Sequence, residues 1–230
     1  MNIIWLGHGS FRIEIGDQVL LIDPWLSGNP MLPEDQHGPA TQGATHILVT
    51  HGHSDHTDGV AELSKAKGIP LSATYELGRY LHGKGAVEGH AFHRGGTITL
   101  GTASATLVPA SHSSSVPTEA GDVYTGVPCG YIIRGEGKVI YFSGDTDIMA
   151  DMQWMGDFYK PDIGILSAGG YFTMDMEGAA FAARHFFHFG TVIPCHYRTF
   201  PLLEQNASAL RRGLPGVDVI EPQIMQPIPL

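Results

Sequence analysis

Apolar residues run nearly unbroken over 2–6 and 18–22 and alternate with polar ones over 11–15, and the chain therefore opens on three short strands. Gly16-Asp17 supplies the hairpin turn between the second and third. A Pro- and Gly-rich stretch, 23–44, reads as a long loop, and a connection of that length is more often functional than idle. The apolar run 45–50 predicts a buried strand, followed by a helix from Asp58 to about Gly68, a strand at 69–73 and a helix at 75–82 closed by Gly83. Residues 87–109 are strand-rich and punctuated by glycines. The runs 129–134 and 138–143 flank Gly135-Glu136-Gly137 as a hairpin. Helices are predicted at 147–158, at 176–189 (the longest) and at 201–210, with strands at 163–166, 191–195 and 217–220.

Strand-rich halves with interspersed helices predict an α/β protein, a sandwich of two mixed β-sheets flanked by helices, rather than a doubly wound dinucleotide fold. No G-x-G-x-x-G motif follows a strand. Residues 1–230 read as a single domain. The formal charge of −10, from 13 basic and 23 acidic residues, argues against a stable nucleic-acid partner, because phosphate neutralisation needs a basic stripe. No apolar run spans a bilayer and no targeting segment is evident. Cys129 and Cys195 sit inside apolar strand patterns as buried free thiols, which suits a cytoplasmic protein.

The chemistry concentrates in His51-Gly52-His53-Ser54-Asp55-His56, four potential metal ligands in six residues, delivered by the strand before them. His51 and His53 alternate in extended chain, so both imidazoles reach one metal. Asp55 and His56 lie where the chain turns into a helix and can face a second. Far downstream His112, Asp145 and His196 each close another strand-like run. Imidazole with carboxylate suits Zn, and also Mn or Fe. His37, His46, His82, His90, His93, His185 and His188 read instead as surface or satisfied core histidines.

This ordered series resembles the metallo-β-lactamase superfamily, and specifically its small bacterial and archaeal branch of metal-dependent hydrolases of unassigned substrate. The resemblance extends to Trp5-Leu6-Gly7-His8, Asp23-Pro24, Gly28-Asn29-Pro30, Ser143-Gly144-Asp145-Thr146, Gly169-Gly170, Thr173-Met174 and Ile193-Pro194-Cys195-His196-Tyr197, spread over nearly the whole chain. It implies His51, His53 and His112 on metal one, Asp55, His56 and His196 on metal two, and Asp145 bridging. A hydroxide between two divalent ions would be the nucleophile. Asp55 would orient it and shuttle its proton, and His8, in the turn after the first strand, is a further catalytic candidate. The resemblance also implies a homo-oligomer.

Asp23 is a candidate acceptor for the second ring nitrogen of a ligand histidine. Thr146 could hold the Asp145 loop, Gly169-Gly170 could offer N–H groups to an oxyanion, and Arg198 could pair with a substrate anion. The zinc β-lactamases that use a metal-binding cysteine have no histidine at the place of His56, so antibiotic hydrolysis is not the expected task. Only about 34 residues follow His196 and no long basic insertion is present, which disfavours the glyoxalase II and RNase Z types. A hydrolase of a small ester or lactone is the first reading. A phosphodiesterase is the alternative, and a non-catalytic metal-binding scaffold the third.

Overall fold

In the first part of the chain, β1 (Asn2–Gly7), β2 (Ser10–Ile15) and β3 (Gln18–Ile22) precede α1 (His37–Thr41). Next come β4 (His46–Leu48), α2 (Ser54–Thr57), α3 (Val60–Lys67), β5 (Pro70–Thr74), α4 (Tyr75–Gly83) and β6 (Val87–Phe92). The second part begins with β7 (Thr97–Leu100), β8 (Ala103–Pro109), β9 (Ser115–Thr118), β10 (Gly121–Tyr124), β11 (Cys129–Gly135) and β12 (Lys138–Phe142). It continues with α5 (Asp151–Tyr159), β13 (Ile163–Ser167), α6 (Met176–Phe186), β14 (Thr191–Cys195), α7 (Ser208–Gly213), β15 (Asp218–Val219) and β16 (Pro227–Ile228). This is a computed structural model, and it describes residues 1–228 and Leu230.

One seven-stranded sheet has the order β16-β1-β2-β3-β4-β5-β6 and the other β15-β14-β13-β12-β11-β8-β7. Both are mixed. In the first, β1, β2 and β3 form antiparallel pairs, and β3 to β6 run parallel. In the second, β7, β8, β11 and β12 pair antiparallel, and β12 to β15 run parallel. With helices on the outer faces this is the αββα sandwich of the metallo-β-lactamase fold.

Period-two alternation makes the layers. Along β1, Ile3 and Trp5 enter the core shared with the second sheet, while Ile4 and Leu6 pack towards Val60, Leu77 and Leu81 of the outer helices. The same split separates Leu20 and Ile22 from Leu21, and Leu48 from Ile47 and Val49. Helix ends follow local chemistry. Asp175 accepts from the Gly178 N–H to cap α6, and left-handed Gly68 ends α3. α5 ends on Lys160, which is left-handed without being glycine (φ 49°).

Four sequence expectations are corrected. The 23–44 loop contains a 3-10 turn, Glu34–Gln36, and α1. The longest helix stops at Phe186, because Phe187 turns extended and buries its ring with Phe189. The helix expected at 201–210 lies later, as α7, since 200–206 are held in turns around the Phe200 carbonyl. The β9–β10 hairpin was not expected, its strands being polar and largely exposed.

Strand directions decide where chemistry can gather. β1, β3 and β4 point the same way in one sheet, and β8, β12, β13 and β14 do so in the other. Their carboxyl ends reach one edge of the sandwich. His8, Asp23, His51, His112, Asp145 and His196 all lie just past those ends.

Candidate metal centre

The seven expected ligands come together at that edge. His51 and His53 follow β4 in extended chain, and the single turn of α2 swings Asp55 and His56 back towards them. Asp145 lies at the middle. Its Oδ2 is 3.0 Å from His196 Nε2, 3.5 Å from His56 Nε2, 3.8 Å from His112 Nε2 and 3.9 Å from His51 Nε2.

Two donor groups share that oxygen. In one, His53 Nδ1 is 3.1 Å from His51 Nε2 and 3.2 Å from His112 Nε2. In the other, Asp55 Oδ2 is 3.3 Å from His196 Nε2 and 3.6 Å from His56 Nε2. Ligands about 2.05 Å from a tetrahedral ion sit about 3.3 Å apart, so both groups have the spacing of a coordination shell. His56 Nε2 is buried and has no hydrogen-bond partner, which fits a nitrogen whose partner is a cation. The residues present therefore fit a binuclear metal-binding cluster, with every donor an imidazole nitrogen or a carboxylate oxygen.

The far ring nitrogens are fixed by the chain. Asp23, wholly buried, accepts at Oδ2 from His56 Nδ1 (2.8 Å) and from the Thr50 hydroxyl (2.6 Å), and at Oδ1 from the Thr50 N–H (2.8 Å). Since Thr50 gives its proton to Asp23, its oxygen accepts from His51 Nδ1 at 2.9 Å. One carboxylate thus holds the far nitrogen of a histidine in each group and turns Nε2 of His51 and His56 towards the centre. Ser113 Oγ lies 3.2 Å from His53 Nε2.

The electrostatics follow from three carboxylates at a buried site. Burial alone would raise the Asp145 pKa, but His196 and His56 outweigh it and hold this carboxyl well below its usual range. Asp55 is likewise held far below, burial being overcome by His56 and by hydrogen bonds from His196 and His8. His56 is driven well above its ordinary value, the pull of Asp145, Asp55 and Asp23 exceeding the cost of burial. His196 rises to about 9 for the same reason. His51 goes the other way, burial holding it neutral. Such a concentration of buried negative charge calls for positive charge in the pocket.

His8 also arrives at the centre. Its Nε2 is 2.8 Å from Asp55 Oδ2, its Nδ1 2.8 Å from Thr199 Oγ1, and its ring centroid lies 3.8 Å from that of His196, the planes tilted by 45°. Burial lowers its pKa to about 4, so it is neutral, with its proton on Nε2 towards Asp55. His8, Asp23 and His196 all adopt left-handed backbone, φ 52°, 46° and 58°. His196 N–H donates to the His8 carbonyl, which ties the two sheets together beside the ligands.

Thr146 Oγ1 accepts from the Ser111 N–H, and Asp147 N–H donates to Ser111 O, so the Asp145 and His112 loops are joined. Gly169-Gly170 do not form an oxyanion cradle, because their N–H groups donate to Thr173 Oγ1 and Met174 O. Glycine at 169 instead lets the chain approach the His196 carbonyl. Arg198 lies 5.7 Å over Trp5 and over Tyr197, a cation–π arrangement in place of an anion site. Thr50, Ser113 and Thr199 escaped the sequence reading. Thr50 adjoins His51 and could have been found by asking what holds each ligand.

A cleft of about 520 Å³ opens beside His112, lined by Arg94, Ser111, Ser113, Ser115 and Tyr124 among others. A cavity of about 630 Å³ between α1 and α3 includes none of the seven candidate ligands.

Comparison with known proteins adds relatives to this geometry. The family model of the beta-lactamase superfamily domain matches residues 18–197. A UPF0173 metal-dependent hydrolase of Cereibacter sphaeroides is 61% identical over 228 residues, 99% of each chain. One from Paracoccus denitrificans is 60% identical over all 230. Among solved structures, Igni18, a metallo hydrolase from the hyperthermophilic archaeon Ignicoccus hospitalis, is similar with a TM-score of 0.86 and 28% identity, over 99% of this chain and 97% of that one.

Proposed function

Because the chain belongs to the metallo-β-lactamase superfamily, and within it to the UPF0173 metal-dependent hydrolases, we propose that it hydrolyses a small carboxylic ester or lactone at this centre. That it is a metal-dependent hydrolase rests on the binuclear cluster and these relatives. The single observation behind the reading is Asp145 Oδ2, within 3.0 to 3.9 Å of four histidine nitrogens at the seam of two sheets.

In this reading His51, His53 and His112 would hold one divalent ion and Asp55, His56 and His196 the other, with Asp145 available to either. The ions, zinc in the first place with manganese or iron as alternatives, supply Lewis acidity and a water of lowered pKa when bound. The protein's own residues manage the proton. Asp55 is the carboxylate at the mouth, its side chain 28% exposed against 4% for Asp145. It takes the proton of the attacking water and returns it to the leaving alcohol. His8 holds its Nε2 proton against Asp55 Oδ2 and so fixes the carboxylate's direction, while Thr199 keeps the His8 tautomer.

The mouth supports an acyl substrate. Phe172 is near His196, and Trp25 and Phe200 near His8, whereas sites for phosphoryl transfer surround the reacting group with cations. The phosphodiester alternative is favoured by Arg94 in the cleft beside His112. Two buried free thiols support a cytoplasmic location, and residues 1–230 are taken as one domain.

The test is to measure metal per chain and assay an ester, a lactone and a phosphodiester, with Asp145→Ala as control. The reading expects about two ions per chain and acyl cleavage lost in the variant by at least ~10³-fold. Phosphodiester cleavage alone would replace it with the alternative.

A further inference from the structure

Two loops past β13 and β14 put large apolar side chains into solvent at the mouth of the centre. Tyr171 is 70% exposed, Phe172 53%, Phe200 36% and Leu202 53%. Adjacent apolar side chains left in water mark a place of interaction. Two of them, Phe172 and Phe200, reach the reacting edge itself. The Phe172 ring lies 6.5 Å from that of His196 and is backed by Tyr171 at 4.7 Å, while Phe200 lies 5.9 Å and Trp25 5.5 Å from His8. The wall is held in place by backbone: Glu204 N–H donates to Gly169 O, Leu203 N–H to Phe200 O and Arg198 N–H to Glu204 O. Across the centre, beside His112, the cleft mixes Ser111, Ser113 and Arg94 with Tyr124, Val127 and Pro128. The phenylalanine rings that border the centre thus lie on its His8–His196 side, and the His112 side is mixed.

We propose that Phe172 and Phe200 are specificity-determining residues that grip the apolar part of the substrate, with Trp25 behind them. The substrate class is then esters or lactones of aryl or medium-chain alkyl carboxylic acids, which deepens the acyl-hydrolase reading and rests on it. The acyl group lies on the His8–His196 side and the leaving oxygen towards His112. The acyl carbon–oxygen bond breaks, water gives its hydroxyl to the acyl carbon, and its proton goes to the alcohol. The occupant is assigned to substrate because the aromatic rings border two histidines of the centre.

The experiment compares methyl acetate, methyl hexanoate and methyl phenylacetate, whose leaving group is small and constant, by acid release from the metal-loaded protein. In parallel, acetate, hexanoate and phenylacetate are titrated calorimetrically, which needs no turnover. The expected result is kcat/KM at least ~10-fold higher for the apolar acyl groups, with a matching order of affinities. Phe172→Ala and Phe200→Ala should each cut that preference severalfold, whereas Phe158→Ala, exposed on the distant α5, should keep it. Equal rates and equal affinities across the series would overturn the clamp while leaving the hydrolase reading intact. If no ester is cleaved but phenylacetate binds more tightly and loses that advantage in the variants, the clamp stands and the acyl reading falls. Variants that change oligomeric mass or vesicle binding, with the acyl preference intact, would assign the face to a second copy or a lipid surface and refute the proposal.

Discussion

Asp23 illustrates how much of a metal-binding cluster depends on the residues packed behind its imidazoles. Its carboxylate sets the far nitrogen of His56 directly and that of His51 through Thr50. Replacing it by Asn should weaken metal binding by about 10- to 100-fold, as read by competition with a chromogenic chelator. Elsewhere, His46 is buried beside Ser72 and titrates at about 4, burial outweighing everything else, with His90 adding to it. The folded value is below the ordinary 6.5, so the unfolded chain takes up the proton first. The associated stability is whole above pH 6.5 and is lost as pH falls towards 4, roughly 3 kcal/mol in all. Urea midpoints of His46→Gln should therefore fall less steeply over that window than those of the parent. The seven candidate ligands were legible in sequence because histidine and aspartate stand out after apolar strands. Thr50, Ser113 and Thr199 were not, since hydroxyls at strand ends are common and only the folded chain shows which nitrogen each one meets.

Elements were legible where burial imposed a period. β1 to β3 and the β11–β12 hairpin alternate into a two-sided core, and their bounds lie close to those read from the pattern. β9 and β10 have no such imprint, because the hairpin makes its own two-stranded sheet and buries little. α7 was placed too early for a related reason: Leu202 and Leu203 look helical, but only Leu203 is buried. Contacts between elements depend on what is left out as much as on what is present. Gly156 on α5 faces the Phe186 carbonyl at the end of α6, where a Cβ would collide with backbone. Gly156→Ala should push the helices apart and lower stability by about 1–3 kcal/mol in urea denaturation, with metal content retained.

On the scale of the molecule, the centre draws on both sheets: His51, His53, Asp55 and His56 come from one, His112, Asp145 and His196 from the other. Backbone bonds cross the same seam, from Cys129 N–H to Thr50 O and from His196 N–H to His8 O, and the Tyr131 hydroxyl donates to Val49 O. Ions bound there join the halves. Loading at 100 times the dissociation constant should add about 2.7 kcal/mol per site, so chelation should lower Tm by several degrees. The shared core predicts one calorimetric transition with or without ions, and two separated transitions would count against a single domain.

Lys160 offers a route to a hardier protein. It ends α5 in the left-handed conformation, exposed and remote from the ligands, and an L side chain there costs roughly 1–2 kcal/mol over glycine. His8, Asp23 and His196 carry the same cost, but in them it buys the direction of a working side chain. A thermostabilising programme should leave those three alone and begin with Lys160→Gly, for which a Tm gain of a few degrees and unchanged turnover are expected.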